Sequence, residues 1–221
     1  MKKIPLLVIF TLIGYSLFAQ TGNKPAAEPL PADLLALQTA NSLARYGYSA
    51  QSASALIGAA EIFARIRTQP LGVTPERTNS DPVTAETPEF TPANLLADGK
   101  KLAGKDKTLL AWAAEVEKSL NTRTRGAVGG PKSAMSVIAG GDTHTYAINL
   151  RGGERTDIAL IGDASSDLDL YILDSYGNLI IGDEGHTDIA RLWVIPTITG
   201  SFTVVVKNYG PRANRYEMYT N

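Results

Sequence analysis

The sequence predicts an α+β chain: an N-terminal all-α unit of helical hairpins, or a small bundle, followed by a C-terminal antiparallel β-sandwich. Three observations predict it. Between residues 32 and 121 apolar side chains recur at helical spacing, beyond residue 132 the period switches to two, and glycine and proline gather between the two stretches.

The helical elements come first. Leu34, Leu35, Leu37, Leu43 and Ala44 form one apolar stripe, and Leu56, Ala59, Ala60, Phe63 and Ile66 a second. Gly47, Tyr48 and Ser49 sit between the runs, with Gly47 read as a helix terminator and Ser49 as the next cap. A second pair follows at 91–120. Thr91 is placed to cap a helix with Pro92 at its first position. Leu95, Leu96, Leu102 and Ala103 supply one stripe; after Gly104, Leu109, Leu110, Trp112, Ala113, Val116 and Leu120 supply the other. Leu56–Ile62 and Leu110–Val116 both read Leu-x-x-Ala-Ala-Glu-(Ile/Val). This internal echo resembles tetratricopeptide-type helical hairpins; a plain four-helix bundle fits as well. Pro70, Pro75, Pro82 and Pro88 stand in the segment 68–90, which is expected to be a mobile surface connector.

The sandwich elements follow from alternation. Tyr146, Ile148 and Leu150 share one face of a strand, and so do Ile158 and Leu160, then Leu168, Leu170 and Ile172. Leu192 and Val194, Phe202, Val204 and Val206, and Tyr216 and Met218 continue the pattern. Turn clusters at 151–154, 162–166, 174–178 and 199–201 separate them, so about seven strands fill the last ~90 residues.

The division of the chain is therefore 1–19 signal peptide, 20–31 flexible leader, 32–121 helical domain with a Pro/Thr-rich loop at 68–90, 122–132 linker and 133–221 sandwich. The signal peptide is read from Lys2 and Lys3, the apolar run Ile4–Phe18 and the small residue Ala19. It predicts export, to the periplasm or the medium. After it, no apolar stretch is long enough to cross a bilayer.

Composition excludes several chemistries. The chain has no cysteine, hence no disulfide, thiolate nucleophile or Cys-based metal site. Its net charge is −1, without any basic block, so nucleic acid is not an expected partner.

The order Gly140-Gly-Asp-Thr-His-Thr-Tyr146, then Asp167-Leu-Asp-Leu-Tyr-Ile-Leu-Asp174, then Thr199-Gly-Ser-Phe-Thr-Val-Val-Val206 and a closing strand at Tyr216 resembles the bacterial pre-peptidase C-terminal domain. The resemblance covers 133–221. It implies a jelly-roll-like sandwich appended to secreted enzymes, with a non-catalytic role in secretion, surface attachment or polymer binding, and calcium in some relatives.

Candidate sites are few. Asp167 and Asp169 share one face of a strand, with Asp163 in the preceding loop and Asp183 in a later one. Such carboxylates are the ligands calcium takes; the alternative is that they bind backbone donors. Trp193, Tyr171 and Tyr176 are candidate binding aromatics, Trp193 facing outward because it alternates with Leu192 and Val194. His144 and His186, the two histidines, lie near neither a Gly-x-Ser-x-Gly elbow nor a His-Glu-x-x-His element and are expected to be surface residues. No catalytic residue is assigned and no cofactor other than calcium.

The reading is a non-enzymatic exported protein. Its helical half would engage an envelope or extracellular protein, and its sandwich a surface or polysaccharide. The alternatives are a calcium-stabilised carbohydrate-binding module, and a small secreted hydrolase or accessory part of a secreted peptidase system.

Overall fold

The computed structural model describes residues 29–79, 81, 83–122 and 130–221. The predicted signal peptide, all but the end of the leader, and most of the linker lie outside the described residues.

Among the described residues the chain forms α1 (Ala32–Ser49), α2 (Ala53–Arg65), β1 (Gln69–Pro70), β2 (Glu76–Arg77), α3 (Pro92–Ala103) and α4 (Lys107–Thr122). Eight strands follow: β3 (Lys132–Ile138), β4 (Thr143–Leu150), β5 (Thr156–Ile161), β6 (Leu168–Leu173), β7 (Leu179–Asp183), β8 (Ile189–Val194), β9 (Gly200–Asn208) and β10 (Asn214–Thr220).

The helix starts follow from short polar side chains that satisfy free amides. Thr91 Oγ1 accepts from the Asn94 amide at 3.1 Å with Pro92 at the first position, as its sequence predicts. Asp106 accepts from the amides of Thr108 and Leu109 at 2.9 and 3.1 Å at the start of α4. The first turn falls later than expected. Gly47 is buried inside α1, the chain turns at 50–52, and Ser52 rather than Ser49 caps α2. Gly47 is small for packing: a Cβ there would lie 2.5 Å from Leu56 Cδ2. The echoed motifs meet, since Trp112 Nε1 donates to Glu61 Oε2 at 3.0 Å.

Two sheets stack face to face, with strand orders β1-β3-β10-β5-β8 and β2-β4-β9-β6-β7. Leaving out β1 and β2, consecutive strands alternate between sheets except at the β6–β7 hairpin, which is the eight-stranded jelly-roll arrangement. Inward positions keep the predicted parity: Tyr146, Ile158, Leu160, Leu170, Val204, Val206 and Tyr216 fill the core between the sheets. β3 and β7 were not legible as alternating runs; Lys132–Ile138 holds only two buried side chains, Ser136 and Ile138, and β7 none.

Within the segment 68–90, expected to be a mobile connector, residues 69–78 form a strap across one side of the sandwich. β1 pairs in parallel with β3, and β2 pairs antiparallel with β4. The amides of Gln69, Leu71 and Thr78 donate to Pro131, Ser133 and Thr143 carbonyls at 2.9, 2.8 and 3.1 Å. Pro70 is compatible because an edge strand needs no second ladder. Arg77 Nη2 crosses to Ser136 of the other sheet at 3.4 Å, so the strap engages both sheets.

The helices lie on the outer face of the first sheet. One apolar cluster joins Leu34, Leu37, Leu56, Ile57, Phe63, Leu95 and Val116 to Ala159, Ile161 and Tyr219 of the sandwich. β5 is accordingly buried along its whole length and on both faces. Polar groups fix the seam. Asn41 Nδ2 donates to Tyr219 Oη at 3.1 Å, and Arg45 pairs with the buried Asp188 at 3.1 Å.

Candidate binding face

Because helices cover the first sheet, the outer face of the second, β4-β9-β6-β7, is the broad sheet surface left open. Register places its outward side chains in rows: Thr143, Lys207 and Asp169; then Thr145, Val205, Tyr171 and Gly182; then Ala147, Thr203 and Leu173. Tyr171 leans against Gly182, where a Cβ would stand 2.7 Å from its Cδ1. A glycine on β7 therefore makes room for the ring.

Four side chains are linked on this face. Tyr171 Oη donates to Asp169 Oδ2 at 2.8 Å, and the Tyr209 hydroxyl lies close enough to act on the Tyr171 phenol. Lys207 Nζ donates to Tyr209 Oη at 2.7 Å and lies 4.0 Å from the centre of that ring. Burial raises the Asp169 pKa; the Tyr171 bond opposes the rise, while Asp167, Glu184 and Asp183 add to it through repulsion. Burial and the bond to Asp169 push Tyr171 upward, whereas the Lys207 bond lowers Tyr209. Tyr209 is 53% exposed, so the cluster offers an accessible ring bordered by a cation, with the buried Asp169 carboxyl holding Tyr171 beneath it.

The four predicted calcium ligands take up different tasks. Asp163 accepts from Thr87 Oγ1 and from the amides of Ser165 and Arg215 at 3.0 Å each. Asp183 accepts from the Gly185 and Arg191 amides at 3.3 and 3.1 Å. Asp169 holds Tyr171, and Asp167 Oδ2 faces His186 Nδ1 at 3.9 Å. Among the described residues, no three His, Asp or Glu side chains form a group that could hold a metal ion.

The three predicted binding aromatics occupy separate settings. Tyr171 is on the open face. Tyr176 is 89% exposed at the tip of the β6–β7 turn, which Asp174 braces through the Tyr176 and Asn178 amides at 2.9 and 2.8 Å. Trp193 faces away from the sandwich core as its parity requires, but Arg155 lies 4.8 Å over its ring and leaves it half-buried. Arg155 is itself held by both oxygens of Asp157, at 2.7 and 2.9 Å.

His186 is fully exposed, as expected. His144 is not: it is 1% exposed, inside the sandwich. The reason is parity, since His144 shares its face of β4 with Tyr146, Ile148 and Leu150. Its Nδ1 is 2.8 Å from Tyr216 Oη, which is 2.6 Å from Tyr146 Oη. Lys207 was missed as a site residue. Its signal was a lysine opposite the buried Val206, two positions before an aromatic turn residue.

No protein-family model and no curated relative matches the chain. Several solved structures are loosely similar. The pre-peptidase C-terminal domain of collagenase from Bacillus anthracis is 18% identical, covering 41% of this chain and 88% of its own, with a TM-score of 0.34. PliG of Aeromonas hydrophila, a periplasmic inhibitor of g-type lysozyme, is 10% identical over 44% of this chain and 90% of its own, with a TM-score of 0.35. A carbohydrate-binding module of Cellvibrio mixtus lichenase 5A, solved with cellotriose, is 16% identical over 43% and 80%, with a TM-score of 0.26. Likenesses this loose carry no argument about ligand or family.

Proposed function

We propose that this chain is a non-enzymatic exported binding protein and that the open face of β4-β9-β6-β7 takes an uncharged polysaccharide. The observation that carries the reading is the Tyr171–Tyr209–Lys207–Asp169 cluster on that face. An aromatic ring with polar groups at its edge suits a sugar, whose C–H faces are apolar and whose hydroxyls need donors and acceptors. Asp167, Asp183 and Glu184 raise the negative potential around Asp169 and disfavour a polyanionic polymer. Support for a non-catalytic role comes from His144, which is enclosed against Tyr216; His186 lies exposed with Asp167 near it, at 3.9 Å.

The test is a glycan array probed with the mature chain and with Tyr171→Ala and Tyr209→Ala. The reading expects binding to neutral glycans, at least tenfold weaker in each variant, with melting temperatures close to the parent's. Equal binding by parent and variants would remove the face as the site.

A further inference from the structure

A cavity of about 410 Å3 opens at the seam between the helices and the first sheet. Its volume lies in the range of small-molecule sites, roughly 300–1,000 Å3. Phe63 and Ile66 of the α2 end, Phe90 before α3, Leu120 of α4 and Met135 of β3 give it apolar walls. Met135 is 48% exposed there, an apolar side chain left largely open among the described residues. Glu217 and Tyr219 enter from β10, and Glu89 enters from the segment before α3.

The polar groups of this cavity are mismatched in charge. Glu217 receives a hydrogen bond from the neutral hydroxyl of Tyr219, while the nearby Ser133 hydroxyl donates to Thr68 Oγ1 at 3.0 Å. The neighbouring charge that acts on it is that of Glu89, of the same sign, and together with burial it raises the Glu217 pKa. Arg67, a cation in the lining, directs its Nη2 to the Leu120 carbonyl at 3.4 Å. A carboxyl under apolar walls is stabilised as an anion by an incoming opposite charge, and here two carboxyls approach the same space.

We propose that the seam cavity binds a small amphiphilic amine. Its aryl or alkyl body rests on Phe63, Phe90 and Met135, and its ammonium lies between Glu217 and Glu89. A neutral molecule of the same shape fills the walls but leaves the carboxyls as they are; an anion adds a third negative charge. The cavity lies on the helix-covered side of the sandwich, so the inference stands independently of the glycan face.

Isothermal titration of the mature chain at pH 7 tests it with phenethylammonium, 2-phenylethanol and 3-phenylpropanoate. The ammonium should bind at least tenfold tighter than the alcohol, and the carboxylate should give no heat. Glu217→Gln should bring the ammonium down to the level of the alcohol, and Glu89→Gln should also weaken it. Phe90→Ala should weaken ammonium and alcohol alike. Affinity should also fall as acid protonates Glu217. Equal affinity for ammonium and alcohol, no binding of any of the three, or full ammonium binding by both glutamine variants would overturn the proposal.

Discussion

The imidazole of His144 lies between the two sheets, and its surroundings oppose a second proton. Burial lowers its pKa to about 4, the Arg77 guanidinium pushes in the same direction, and Asp142, 3.8 Å away, opposes them. The folded pKa is thus below the ordinary value of 6.5, and the unfolded chain binds the proton more readily. The stability that neutral His144 confers is complete above pH 6.5 and is lost as pH falls from 6.5 towards 4. The loss is roughly 2 kcal/mol once screening is allowed for. Glu217 and Asp169, with raised pKa values, act with the opposite sign: their ionisation costs stability as pH rises. Urea unfolding at pH 7 and pH 4.5 of parent and His144→Gln isolates the histidine. The variant should show the smaller drop between the two pH values; an equal drop in both proteins would contradict the assignment.

Gly47 carries a prediction of a different kind. A methyl group there meets Leu56, which is fully buried, so Gly47→Ala should destabilise by about 1–3 kcal/mol despite the gain in helix propensity. A stabilised variant in thermal melts would show that α1 and α2 are less closely packed.

At the scale of elements, the strap is the segment whose role differs most from its composition. Four prolines and many polar residues read as a connector, yet Gln69, Leu71 and Thr78 donate amides to the edges of both sheets. These three amides should exchange at least a hundredfold more slowly than unstructured peptide, and exchange at the intrinsic rate would refute the pairing. The strap was illegible because its partners lie some 60 residues away in sequence, and two-residue strands carry no period. The jelly-roll strands were legible where one face is apolar, as in β4, β6 and β9. β5 was read as half-buried, although Ile158-Ala-Leu-Ile161 is an unbroken apolar run that fits a strand covered on both sides. Of the binding face, Asp169 and Tyr171 were visible in the sequence. Lys207 was not, because only the β6–β9 register sets Lys207 opposite Asp169.

For the whole molecule, the consequence of the seam is cooperativity. Helices and sandwich share one apolar cluster through Ile161 and Tyr219, reinforced by the Arg45–Asp188 pair. Trp112 of α4 and Trp193 of β8 report on the two halves. Melts of Trp112→Phe and Trp193→Phe, each followed through the remaining tryptophan, should give the same midpoint, and Ile161→Ala should lower both together by about 2–4 kcal/mol of stability. Separate midpoints would mean that the halves unfold independently.

The seam distinguishes the two sides of the sandwich: one sheet carries the helices, and the proposed function puts the polymer on the other. Amide chemical-shift mapping with a bound neutral oligosaccharide addresses this directly. The account predicts that the shifts centre on Asp169–Tyr171, Val205–Tyr209 and Gly182 and leave the helices unchanged. Shifts confined to α1–α4, or none at saturating sugar, would contradict it.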